Sequence, residues 1–267
     1  MGKISKTDFR GIQKMRVAIA HDDLVQWGGA ERVLEGICEI YPDAPIFTSV
    51  YDSSNKELSK RFGNKKINTS FLNSLPYWRS MYKALLPLYP IAFEQFSFDD
   101  FDLVISNTTR FAKSVITKPG TIHICYCHTP PRFIWGLSNY KINPLLQGLM
   151  NKLKIYDQVS AKRVDHFIAG SKNAKSRIRK IYGADSKVVY PFIDLARFKS
   201  IEIFEGGYIV IVARKASYKR IDLVEKTSRE TETPLKIISG NYDDADVVRI
   251  LAGCKYLVIA GIEDFGL

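Results

Sequence analysis

Arg214 and Lys219 stand five residues apart, directly after the apolar run GYIVIVA. Two cations held at the end of a buried strand can clamp a diphosphate. They oppose its charge most strongly while a bond to it is breaking. Such a pair can replace a divalent metal, and no carboxylate grouping in the sequence has a convincing metal-ligand pattern. Isolated on a surface, the same two residues would be ordinary solvated cations. Glu263 follows a second apolar run, KYLVIAG, and opens EDFGL. An acid in that place can meet the hydroxyls of a bound sugar. His128, in YCHTPPRFIWG, follows another apolar run, and Pro130 and Pro131 hold the segment after it out of helix. A histidine at a strand's carboxyl end lies where open α/β sheets bind ligands, although a lone histidine also serves structure. Gly28 and Gly29, in QWGGAERV, let a backbone approach a ligand closely and precede free N–H groups at a helix start. The pair reads equally as a tight turn. The G-x-G-x-x-G fingerprint is absent, which argues against a dinucleotide.

The elements that must position these residues are short apolar strands alternating with amphipathic helices. MRVAIAH is apolar almost throughout, as a strand buried on both faces of a parallel sheet is. In the next segment Ala30, Val33, Leu34 and Ile37 repeat at helical spacing. APIFTSVYD, FDLVISNT, THICYCH, VDHFIAGS and KVVYPF continue the strand pattern. The alternation predicts a doubly wound α/β architecture with right-handed crossovers. Regular patterning lapses near residues 193–207, which predicts a polar extension over 1–14, one domain over 15–198 and a second over 199–267.

Net charge is +11 and the pI near 9.4, so anionic partners are favoured: nucleotide phosphates or lipid headgroups. Nucleic acid is disfavoured, because no base-reading motif accompanies the charge. Cys38, Cys125, Cys127 and Cys254 do not form a metal-ligand set, and Cys125 and Cys127 are two apart on one strand face. The basic N-terminus lacks an apolar signal core, and no run reaches the roughly 18 apolar residues of a membrane span. A reducing, cytoplasmic setting is expected. Residues 75–93 mix aromatics and leucines with Arg79 and Lys83. They read either as a basic amphipathic helix on an anionic membrane or as a half-buried helix interrupted by Pro87 and Pro90.

Taken together, HDDLVQWGGAERV, SNTTRFAKSV, YCHTPPR, GSKNAKSRIRKIYGADSKVVYPF, ARKASYKRID and EDFGL resemble the retaining glycosyltransferases of family 4, in the branch with an HTPPR-type signature. The resemblance covers nearly all of residues 15–267. It implies a GT-B-like fold of two Rossmann-like parallel-sheet domains, and a mannosyltransferase-like activity. A hexose such as mannose would pass from a nucleoside diphosphate sugar to a glycan or lipid-linked acceptor, with no metal cofactor. By resemblance Arg214 and Lys219 hold the diphosphate and Glu263 contacts the donor sugar. Backbone N–H groups at Phe265 and Gly266 hold the sugar or phosphate, Gly28 and Gly29 line the cleft, and His128 sits near the transferred sugar. In the family, EDFG opens an E-x7-E motif whose second Glu would fall past Leu267. A strand and helix usual in relatives between PLKIISG and KYLVIAG are also missing. The second domain is therefore expected to be incomplete. Gly170 departs from the Asn that relatives carry there. The competing expectation is a non-catalytic module binding an acceptor glycan, a membrane or a partner chain.

Overall fold

The computed structural model describes residues 15–82, 84–137, 143–193, 195–198, 201–213, 219–239, 242 and 244–261. Arg214, Glu263, Phe265, Gly266 and Lys83 lie outside them. The chain divides into two compact units, the first ending at Pro191 and the second beginning at Phe192.

In the first unit the strands are β1 (Val17–His21), β2 (Ile46–Thr48), β3 (Ile67–Thr69), β4 (Leu103–Thr108), β5 (Ile122–Cys127), β6 (His166–Ala169) and β7 (Ser186–Val188). They form one sheet in the order β3-β2-β1-β4-β5-β6-β7, and every pair is parallel. Parallel strands need covered faces, and β1 and β4 are buried at every residue. Its helices are α1 (Gly29–Ile40), α2 (Lys56–Phe62), α3 (Trp78–Met81), α4 (Tyr89–Glu94), α5 (Arg132–Trp135), α6 (Gln147–Ala161) and α7 (Lys172–Tyr182). Of the expected stripe on α1, Val33 and Leu34 are buried, and Leu34 with half-buried Ile37 and buried Cys38 packs with Ile19, Ile46 and Ile105 of the sheet. On the opposite face Phe47 packs against Phe98 with ring centroids 4.7 Å apart, among Phe93, Phe96 and Phe101.

Local chemistry sets the helix ends. Asn55 accepts from the amides of Glu57 and Leu58 to start α2. Ser171 accepts from Ala174 N to start α7, and Gly183 at φ 69° ends it in the left-handed region. Residues 75–93 do not form one amphipathic helix. They make α3, a 3₁₀ turn at Leu86–Leu88 and α4, as the two prolines dictate. Trp78, Tyr89 and Phe93 are buried in the core, and Arg79 is paired with Asp52 at 2.9 Å. The short strand β3 was not legible from the sequence pattern.

The second unit has a parallel sheet of β8 (Tyr208–Val212), β9 (Leu235–Ile238) and β10 (Cys254–Leu257) in the order β10-β8-β9. Among its described residues the α-helices α8 (Ile221–Glu230) and α9 (Asp244–Ala252) accompany it. Alternate residues of β8 face two cores: Ile209 and Ile211 pack near Val224 of α8, and Tyr208 and Val210 near Ile238 and α9.

Candidate functional site

The sheet order of the first unit reverses direction of growth at β1, which lies between β2 and β4. In open α/β sheets the crevice beyond the carboxyl ends of such strands is the ligand site. His21 ends β1, Asn107 and Thr108 end β4, and His128 follows the last residue of β5. The register pairs His21 with Asn107 and Thr108 with Cys127, so strand pairing itself gathers these side chains.

Asp22 and Asp23 leave β1 pointing into protein, each 3% exposed. The Asp22 carboxylate accepts from the backbone amides of Thr109 at 2.6 Å, Phe111 at 2.9 Å and Ala112 at 2.8 Å. The Thr108 hydroxyl adds a bond of 2.9 Å. Burial pushes the Asp22 carboxyl up. Arg110, His21 and the backbone donors outweigh it and hold the group below the usual carboxylate range. Asp22 thus shapes the turn after β4, while its neighbour Asp23 pairs with Arg110.

His128 Nε2 lies 2.7 Å from Asn107 Oδ1. The Asn107 amide nitrogen donates to Ala30 O at 2.8 Å, which ties the glycine loop at the start of α1 to the same cluster. Gly28 precedes that helix in an extended conformation, without a side-chain cap. Burial pushes the His128 pKa down to about 4, with help from His21 and against Asp22. The imidazole is therefore neutral near pH 7. The Tyr126 ring meets His128 edge-on at 5.0 Å, and Arg177 donates to Thr129 at 3.0 Å. Helix α5 starts only at Arg132, after the two prolines. Gly170 has a physical reason here. A Cβ at that position would stand 3.3 Å from the Tyr126 hydroxyl, which itself bonds Val189 O at 2.8 Å.

The structure therefore links His128 through Asn107 to Ala30, the residue that follows Gly28 and Gly29. Lys219 belongs to the second unit, just before the start of α8. Arg214, Glu263, Phe265 and Gly266 lie outside the described residues, so their assignments rest on sequence. Sequence reading missed His21, Asp22, Asp23, Glu31, Asn107 and Arg110 as partners. Their signal was available: polar runs HDD and SNTTR directly follow wholly apolar strands. Among the described residues no group of three or more His, Cys, Asp or Glu could hold a metal ion, and no helix is long and apolar enough to cross a membrane.

Comparison with curated proteins gave no match. Among solved structures, HepE of Anabaena in complex with UDP and glucose is similar, with a TM-score of 0.59 at 15% identity over 92% of this chain and 74% of that one. HepE in complex with UDP gives 0.57 at 14% identity over 91% and 74%. At that identity the likeness speaks to fold, and the fold is that of the GT-B glycosyltransferases. The sequence model of Glycosyltransferase Family 4 matches residues 27–197, which contain the glycine loop, the turn after β4 and His128. On that match, carried by the unit that builds the cluster, the chain belongs to glycosyltransferase family 4.

Proposed function

We propose that the protein is a retaining hexosyltransferase, with mannose as one candidate sugar, using a nucleoside diphosphate donor and a glycan or lipid-linked acceptor. The observation that carries this reading is the neutral His128 beyond the β1–β4 switch point, held by Asn107 beside the glycine loop. The Anabaena structure contains UDP and glucose, which makes a nucleoside diphosphate hexose the donor class to test first. In the proposed reaction the bond from the sugar C1 to the diphosphate breaks as the acceptor oxygen bonds C1 on the same face. The acceptor's proton passes to the departing phosphate oxygen. Arg214 and Lys219 would oppose the charge on that phosphate without a metal, and Glu263 with the amides at Phe265 and Gly266 would hold the sugar. Exposed Tyr77, Met81, Leu88 and Ile91 support a peripheral contact with the inner face of a cytoplasmic membrane, where lipid-linked acceptors lie.

A mass-spectrometric screen of the protein against UDP-, GDP- and ADP-hexoses tests the reading. Conversion of one donor to hexose and nucleoside diphosphate, lowered at least tenfold by His128→Ala, is the expected result. Turnover of no donor, or wild-type turnover in His128→Ala, would refute the role given to the site.

A further inference from the structure

Behind His128 runs a line of polar side chains from four different segments, and it ends in a carboxylate. The orientation of Asn107 is set by Ala30 O, a pure acceptor 2.8 Å from Nδ2, so the amide oxygen must face His128. His128 consequently donates through Nε2–H across 2.7 Å. The second hydrogen of the Asn107 amide faces His21 Nδ1 at 3.2 Å. That nitrogen is also 3.2 Å from Asn107 O, to which it could donate if it carried a hydrogen. Donation there would drive one N–H against another and turn a bare Nε2 lone pair toward Glu31. Two repulsions outweigh one bond, so His21 accepts at Nδ1 and carries its hydrogen on Nε2. Nε2 lies 3.7 Å from Glu31 Oε1 and meets no hydrogen-bond partner among the described residues. His21 and Glu31 are 2% and 5% exposed, where a charge or an N–H without an answering group is costly, so the facing of the two is favourable.

The two hydrogen bonds of this line point the same way, His128 to Asn107 and Asn107 to His21, and the His21 Nε2–H then faces the Glu31 carboxylate across 3.7 Å. A chain ordered in one direction polarises each of its members. We propose that Glu31 is a positioning residue for His128, fixing its Nε2–H tautomer through His21 and Asn107 and so offering Nδ1 as the acceptor nitrogen for a substrate hydroxyl. The use of Nδ1 rests on the transferase reading; the tautomer does not.

Long-range proton–nitrogen NMR of the full chain, labelled with ¹⁵N and recorded near pH 7, reads the tautomers directly. The sequence has four histidines, so single substitutions assign each ring. His128 and His21 should each show a protonated Nε2 and a bare Nδ1. Asn107→Leu should leave His128 a mixture of tautomers, and Glu31→Gln should move the ring-nitrogen resonances of both His21 and His128. A His128 protonated on Nδ1 in the wild type would overturn the proposal, even if Asn107→Leu fails to fold. Unchanged ring resonances in Glu31→Gln would remove Glu31 from the line. Because these readouts need no turnover, failure of every donor would count against the transferase reading alone.

Discussion

Replacing Asp22 tests whether one buried carboxylate builds the floor of the site. Asp22→Ala strips an acceptor from three backbone amides, those of Thr109, Phe111 and Ala112. Each buried donor left unpaired costs about 1–3 kcal/mol, and water entering the vacated space recovers part of that. The expected loss is about 4 kcal/mol, a large share of the 5–15 kcal/mol typical of a folded domain. Asp22→Asn should cost about half as much, because its remaining oxygen can still serve Phe111 and Ala112. All three tryptophans, Trp27, Trp78 and Trp135, lie in the first unit, so their fluorescence in urea reports its unfolding alone. With an m-value of about 2 kcal/mol/M the Asp22→Ala midpoint should fall by about 2 M. The sign of the pH dependence follows from the lowered carboxyl pKa. The charged group's contribution is complete above the unfolded value of 3.8 and is lost as pH falls through the lower folded value. The gap between wild type and Asp22→Asn should therefore hold from pH 7 to 5 and close in stronger acid. A loss below about 1 kcal/mol for Asp22→Ala would show that the turn after β4 keeps its shape without this carboxylate.

The buried pair Lys113–Asp157 should behave as a unit, since Asp157 also accepts from Trp135 at 2.7 Å and Tyr182 at 2.9 Å. Lys113→Met should cost about 3–5 kcal/mol in the same urea assay, and adding Asp157→Asn should recover at least about 1 kcal/mol by removing the stranded charge. Burial pushes the His123 pKa down to about 4 from 6.5, so the native ring stays neutral while the unfolded chain takes up a proton. Thermal midpoints should then fall as pH drops from 6.5 towards 4, and His123→Gln should flatten that slope. Burial raises the Cys38 thiol to about 11, and a hydrogen bond that the Cys127 thiol gives to Cys125, together with burial, raises Cys127 well above its usual value. At pH 8 a thiol reagent should label half-exposed Cys254 first, leaving Cys38, Cys125 and Cys127 until unfolding; rapid labelling of all four would refute the burial argument. If residues 75–93 meet an anionic membrane, reversing Arg79 and Lys83 should weaken vesicle sedimentation more than reversing Lys226 and Arg229 does. Equal effects would reduce the attraction to net charge.

Much of the architecture is written in one-dimensional patterns. The apolar runs at β1, β4, β5 and β8 and the helical stripe of α1 are local signals, because period and burial depend on neighbours in sequence. The resemblance reached Gly28, Gly29 and His128 for the same reason: glycine freedom, paired prolines and a strand-end histidine are short-range features. What surrounds His128 was decided only in three dimensions. His21 meets Asn107 because β1 and β4 pair in parallel, a register set by packing both faces of the sheet. Asp22 finds its donors 87 to 90 residues away, and no spacing rule links such positions. Arg79 is paired with Asp52, 27 residues away, a partner that no local pattern names. The chemical capacity of each side chain is thus local, but the choice of partner belongs to topology. Buried hydrogen bonds are satisfied by whichever groups the fold brings within 3 Å, whatever their order along the chain.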